Sequence, residues 1–217
     1  MDHHTARQNL LDSQLRPNLV TDQAVLARFA NLPREKFTSH EHAHLAYADA
    51  PVPQGHGRML LSPLALACLV QALQLKATDR VLVLAAGTGY AVAVMAPLVT
   101  SVVAVEDNAY LADLGKRLVA DQHLGNVKWV VDEHDKGHKA AAPYDAILID
   151  GGIAATPTDL YTQLTPQGRL AAVWQPAGQP AQLWVARKHG QTILTETLAE
   201  TQPSGLVAFQ PKPKFEF

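Results

Sequence analysis

Cysteine is almost absent from this sequence: Cys68 is the only one in 217 residues. No internal disulfide can form, and a lone thiol in an apolar helical pattern reads as a small buried hydrophobe in a reducing compartment. Charge is also scarce. Charged residues make up 18% of the chain, below the usual value of about 25%. The 18 Lys plus Arg against 20 Asp plus Glu give a net charge of -2, so there is no overall basic field for nucleic acid or anionic lipid. The opening Met1-Asp2-His3-His4-Thr5 has no basic start followed by an apolar stretch. No secretory signal is therefore expected, and a cytoplasmic location is. Hydrophobic residues reach 47%, enough for a large core and too many for a disordered chain.

The longest gap in charge is the most informative absence. Between Arg80 and Glu106 stand 25 residues without a charged side chain, long enough on count alone for a membrane span of about 20 residues. Its content argues otherwise. Gly87, Gly89 and Pro97, a Thr100-Ser101 pair and β-branched clusters at both ends read as strand, turn, helix and strand. A parallel strand is buried on both faces and lacks charge for that reason. No membrane segment is expected.

The first third of the chain reads as helical. Ala6, Leu10 and Leu11 share a helical face within 5–14, and Thr21 or Asp22 caps a second helix ending at Ala30. Segment 31–58 is rich in Pro, Gly and His and reads as extended loop, after which Ser62-Pro63 supplies a cap and a first turn for a helix over 64–73. From Arg80 onward strands over 81–85, 101–106, 127–131, 146–150 and 169–174 alternate with helices over 90–98, 109–123 and 158–164. That alternation predicts a parallel sheet with helices on both faces. Two further strands, over 183–187 and 192–198, flank Lys188-His189-Gly190 and predict an antiparallel edge. The tail over 202–217 reads as irregular. The expected division is a helical, substrate-side cap over 1–79 and a catalytic domain over 80–217.

The segment Val81-Leu82-Val83-Leu84-Ala85-Ala86-Gly87-Thr88-Gly89-Tyr90 runs an apolar strand into a small-residue turn and a helix. Such a turn lets a ligand approach the backbone and directs free N–H groups at it. Glu106 stands 19 residues after Gly87 at the end of the next strand, where a carboxylate accepts hydrogen bonds from both ribose hydroxyls of an adenosine-containing ligand. The Gly-x-Gly-x-x-Gly of a dinucleotide site is not met, since its third position is Val92. S-adenosylmethionine carries no phosphate and tolerates a looser turn.

Around this loop the chain resembles the protein-L-isoaspartate O-methyltransferase family. The stretches that carry the likeness are Gln14-Leu15-Arg16, Val20-Thr21-Asp22, Leu32-Pro33-Arg34-Glu35-Lys36-Phe37, Ala46-Tyr47-Ala48-Asp49-Ala50-Pro51 and Gly55-His56-Gly57. They continue in Gly87-Thr88-Gly89-Tyr90 and Ala142-Pro143-Tyr144-Asp145-Ala146-Ile147. The resemblance implies an α/β, three-layer, Rossmann-like methyltransferase fold with a mostly parallel seven-stranded sheet and an N-terminal helical extension. It also implies S-adenosylmethionine as cofactor and methyl transfer to the carboxylate of an isoaspartyl residue in a protein or peptide. Carried over residue by residue, Ala85, Gly87 and Gly89 lie along the cofactor, Glu106 holds the ribose, and Glu133 takes the position of an acidic residue beside the adenine.

The family's substrate-site serine falls on Leu61, with Ser62 next to it as the candidate replacement. Other departures are Val83 for an acid, Ala85 for the first glycine, Ala86 for a polar residue, and Asp132-Glu133-His134 for Gly-Asp-Gly. Each lost hydrogen bond to a charged group costs about 1.5–3 kcal/mol. Two alternatives therefore stand beside the isoaspartyl reading: a small-molecule acceptor, and a relative that has lost the reaction and binds cofactor or partners. Asp150, ending a strand before Gly151-Gly152, is the second candidate catalytic residue, to orient an acceptor or the cofactor's amino group. The ten histidines include His40-Glu41-His42-Ala43-His44 and His134-Asp135-Lys136-Gly137-His138. Neither has metal-motif spacing, both read as solvated loop, and no metal is expected. Trp129, Trp174 and Trp184 sit in predicted strands and read as core.

Overall fold

The computed structural model describes residues 2–204 and 207–209. The N-terminal part contains α1 (His3–Leu10), a wide turn (Leu11–Leu15), α2 (Gln23–Asn31), short turns at Arg34–Phe37 and His40–Leu45, the hairpin strands β1 (Val52–Gly55) and β2 (Arg58–Leu60), and α3 (Pro63–Ala72). Then follow β3 (Arg80–Leu84), α4 (Tyr90–Met95), β4 (Ser101–Glu106), α5 (Ala109–Ala120), β5 (Val127–Val131) and β6 (Tyr144–Ile153). The last elements are α6 (Thr158–Tyr161), β7 (Leu164–Trp174), β8 (Gln182–His189), β9 (Thr192–Glu200) and β10 (Val207–Ala208).

The main sheet runs β5-β4-β3-β6-β7-β8-β9. Strands β3 to β7 are parallel and β8 and β9 antiparallel, as the alternation of helices and strands and then a hairpin predicts. The uncharged run is β3, turn, α4 and β4, and among the described residues no helix is long and apolar enough to cross a membrane. Consecutive β3 side chains feed opposite faces. Val81 and Val83 join an apolar cluster with Leu10, Phe29, Leu66 and Tyr90, while Leu82 and Leu84 join another with Ile147, Ile149 and Leu160. Trp184 is buried, and Trp129 and Trp174 pack half-buried against the two clusters.

Several boundaries differ from expectation. Segment 31–58, expected as loop, holds two helical turns and the β1–β2 hairpin, a separate two-stranded sheet. The first helix starts earlier, at His3 and not at Thr5, because Asp2 caps it by accepting from the His4 and Thr5 amides. The helix expected over 158–164 is only α6, because β7 begins at Leu164 and takes up its end. The tail is not wholly irregular: β10 pairs parallel with β6 at Gly152 and Ile153, and the rest of that expectation, over 205–206 and 210–217, lies outside the described residues.

Sheet order places the crevice. β3 has β4 on one side and β6 on the other, so the chain leaves β3 in one direction and returns in the other. Between the carboxyl ends of such strands the loops diverge, and ligands of open α/β sheets bind there.

Candidate active site

The turn after β3 is held by its backbone. Ala85, Gly87 and Gly89 all have left-handed φ, of 56°, 52° and 87°. The Ala86 amide donates to Val105 O at 3.1 Å, and the Gly89 amide to Ala86 O at 2.8 Å. Ala85 occupies a conformation that costs a non-glycine residue about 1 kcal/mol, so the rest of the turn imposes it. Gly89 has no room for a side chain, since a Cβ there would meet Val119 Cγ2 at 2.9 Å.

Glu106, at the end of β4, is fully buried, and its Oε2 accepts from the Gly87 amide at 2.8 Å. Its Oε1 accepts from the Asn108 amide at 3.1 Å and from Arg58 Nη2 at 2.9 Å and Nε at 3.2 Å. Arg58 Nη2 also donates to Asp107 Oδ1 at 2.5 Å and to His134 Nε2 at 2.7 Å. The Asp107 amide donates to the same imidazole nitrogen at 3.3 Å, which fixes the ring proton on Nδ1. Burial pushes the Glu106 carboxyl up, but the Arg58 guanidinium bonded to its Oε1 opposes this, and the carboxyl is held well below the ordinary carboxylate range. His134 is therefore no solvated loop residue: it is buried against the end of β4. The other histidine group sits on the half-exposed turn His40–Leu45, where His42 Nδ1 pairs with Ser39 Oγ at 2.7 Å and His44 Nδ1 with Glu41 O at 3.1 Å.

The glycine turn is covered from the cap side. Gln54 Oε1, on β1, accepts from the Thr88 amide at 2.8 Å, and a Cβ on Gly87 would collide with it. Thr88 Oγ1 donates to Phe37 O at 2.6 Å. Arg34, in the turn next to Phe37, is fully buried and donates through Nε to Ala46 O at 2.8 Å and through Nη2 to Leu61 O at 2.5 Å. Its guanidinium lies 4.7 Å from the centre of the Tyr90 ring, a cation–π contact. Arg34 Nη1, Tyr90 Oη and Asp150 Oδ1 are buried without a hydrogen-bond partner among the described residues. Burial raises the Asp150 carboxyl to about 7, with Glu106 pushing the same way and Arg34 and Arg58 opposing. Buried polar groups are ordinarily satisfied, and orphaned ones mark a place where something polar belongs.

The expected site residues fall in three places. Ala85, Gly87, Gly89, Glu106 and Asp150 are buried around the crevice. Ser62 is 6% exposed and its Oγ accepts from the Ala65 amide at 3.2 Å as the cap of α3; it lines a cavity of about 420 Å³ with Asp49 and Cys68. Glu133 is exposed and pairs with Lys136 at 2.5 Å. A second cavity, of about 740 Å³, opens between α1 and the turn at residues 40–45, lined by His3, Gln14, His40, His44 and Tyr47 among others. Sequence reasoning assigned no site role to Gln54, Arg58, Arg34, Tyr90 or His134. Arg34 carried a signal, as a charged position of Pro-Arg-Glu-x-Phe between Pro33 and Phe37, which pack; Arg58, in a Gly- and His-rich stretch, carried none.

The groups present suit an adenosine-containing cofactor: a buried carboxylate acceptor at the end of β4, a turn whose glycines have no Cβ, and the orphaned Asp150 Oδ1 beside them. The space in front of them is taken by Gln54 and Arg58. Glu106, Asp107 and His134 also bring three ligand atoms within 4.8 Å, but the Arg58 guanidinium already supplies the positive charge there.

This sheet order, with a glycine turn after β3 and a buried carboxylate ending β4, defines a Rossmann-like fold, and the family match makes its class that of the S-adenosylmethionine-dependent methyltransferases. Within it, the chain belongs to the protein-L-isoaspartate(D-aspartate) O-methyltransferase family, which matches residues 5–202. It is 34% identical over 218 residues to protein-L-isoaspartate O-methyltransferase 1 of Rhodopseudomonas palustris, covering 96% of this chain and 88% of that one. The Methylorubrum populi enzyme of the same name is 36% identical, with 95% and 94% covered. Two solved structures share the fold. One, a protein-L-isoaspartate O-methyltransferase, has a TM-score of 0.77 at 23% identity; 93% of this chain covers 65% of that longer one. The other, a Plasmodium falciparum beta-aspartate methyltransferase in complex with S-adenosyl-L-homocysteine, has a TM-score of 0.74 at 19% identity, with 94% and 97% covered.

Proposed function

We propose that this chain is an S-adenosylmethionine-dependent O-methyltransferase acting on the side-chain carboxylate of isoaspartyl residues in proteins or peptides. The observation that carries the reading is the buried Glu106 carboxylate, bonded to the Gly87 amide across the carboxyl ends of β3 and β4, in a chain whose residues 5–202 match the family. When bound, the cofactor supplies an electrophilic methyl group on a sulfonium. The protein's own tasks are then few, because a carboxylate is already nucleophilic at neutral pH: it binds, orients and excludes water.

In this reading Glu106 accepts the ribose hydroxyls, Gly87 and Gly89 give the cofactor access to backbone, Ala85 lines its turn, and Glu133 meets the adenine edge. Asp150 is the candidate for the cofactor's amino group or the acceptor, its free Oδ1 facing the requirement for a partner. Ser62 is the candidate acceptor-side hydroxyl, in addition to its capping bond. Residues 1–79 form the acceptor-side cap and 80–217 the cofactor domain.

The test is transfer of a labelled methyl group from S-adenosylmethionine to an isoaspartyl peptide, with the matching aspartyl peptide as control. Base-labile label on the isoaspartyl peptide alone is expected. Label on neither peptide, or on both equally, overturns the proposed acceptor.

A further inference from the structure

The β1–β2 hairpin packs on the mouth of the crevice through side chains, while among the described residues its strands pair only with each other. Its base is anchored by Val52 and Leu60, both buried in the larger apolar cluster. Its tip, Gly55-His56-Gly57, is exposed and has left-handed φ at all three residues, 93°, 51° and 74°. His56 rests on Tyr110 of α5 with ring centres 5.0 Å apart, and Tyr110 is itself exposed. Between base and tip sit Gln54, against Gly87 and Thr88, and Arg58, on Glu106.

A carboxylate offers about four lone-pair sites. Glu106 has committed Oε2 to the Gly87 amide and Oε1 to the Asn108 amide and two Arg58 nitrogens, and none of it is open to solvent. A ribose diol cannot donate to this carboxylate while Arg58 does. Nor can a ligand reach the Gly87 backbone while Gln54 covers it. Both obstacles are on one small hairpin and both are removed by one movement of its tip. Once Arg58 leaves, Glu106 and Asp107 face the crevice as uncompensated negative charge, which attracts a cationic sulfonium donor.

We propose that the β1–β2 hairpin is a built-in plug of the cofactor crevice: Arg58 competes with the cofactor's ribose for Glu106, and cofactor binds only to molecules whose hairpin tip has withdrawn. The inference rests on the cofactor assignment above. A ligand that binds only the open form has its apparent affinity reduced by the fraction of molecules that are open, so removing the plug strengthens binding although it removes a residue from the site.

The experiment is calorimetric titration of the full chain with S-adenosylhomocysteine, comparing the natural protein with Arg58→Ala and Gln54→Ala. Arg58→Ala is expected to bind about tenfold or more tightly, and Gln54→Ala more tightly by a smaller factor. Amide hydrogen exchange over residues 54–58 is expected to speed up when the ligand binds the natural protein. Unchanged or weaker binding by Arg58→Ala overturns the plug while leaving the cofactor assignment standing. Silence from all three proteins at millimolar ligand overturns both. Should Arg58→Ala not fold, Arg58→Met serves, with the same two outcomes, because it keeps the length and packing of the side chain and offers no donor to Glu106.

Discussion

Asp150 is the residue whose environment is least expected from its type. It lies in the buried second half of β6, with one carboxylate oxygen unpartnered among the described residues, and burial first, then Glu106, raises it from 3.8 to about 7. For a carboxyl raised in the folded state, the folded protein holds a proton that the unfolded chain gives up above about pH 4. Its contribution to stability is therefore fully present below that pH and lost as pH rises through about 7. Asp150→Asn, which cannot ionise, is expected to be more stable than the natural protein at pH 8 by roughly 1–4 kcal/mol and to differ little from it at pH 4. Urea midpoints across that range measure this; a constant difference at both ends contradicts the raised carboxyl. Glu106 has the opposite sign, because its depressed carboxyl stabilises the fold above the ordinary carboxylate range and loses that as pH falls.

At the scale of elements, α5 lies against the glycine turn because Gly115 lets it. A Cβ there would collide with the Trp129 ring and stand 3.0 Å from Gly87 O. The ring is rigid and the carbonyl is backbone, so neither yields cheaply. Gly115→Ala is expected to lose about 1–3 kcal/mol, measured as a lower urea midpoint, although alanine ordinarily favours a helix over glycine. A gain in stability contradicts the packing described. Elements were legible in the sequence in proportion to how far they bury themselves. Strands β3, β4 and β6 are apolar on both faces because both faces are covered, and Asp22 and Ser62 announce α2 and α3 by capping chemistry that is local. The β1–β2 hairpin was not legible. Its strands are four and three residues long, and what they pack against is distant in sequence: Arg58 reaches Glu106 and His134, and Gln54 reaches Thr88. The same distance explains the site. Glu106 and the glycines follow from spacing along one βαβ unit, whereas the groups that cover them come from the cap and are known only once it is folded.

Across the whole molecule, the cap and the sheet share one apolar cluster, in which Phe29, Phe37 and Leu66 meet Val83 and Tyr90. A polar staple joins distant parts of the chain behind it. Arg169 of β7 donates to Leu73 O at 2.7 Å and Asp145 O at 2.9 Å and pairs with the buried Asp79 at 2.7 Å. Arg169→Leu strands that carboxylate and is expected to cost about 3–5 kcal/mol, read as a lower thermal midpoint, with Asp79→Asn in the same background recovering part of it. A loss below 1 kcal/mol, the range of exposed pairs, would show that the staple is not needed. The central claim is that the crevice between the ends of β3, β4 and β6 receives the cofactor on Glu106. Its most direct test is a crystal structure of the chain with S-adenosylhomocysteine. The account predicts both ribose hydroxyls on Glu106 and Arg58 withdrawn from it; ligand bound elsewhere, with the Arg58–Glu106 pair intact, contradicts it.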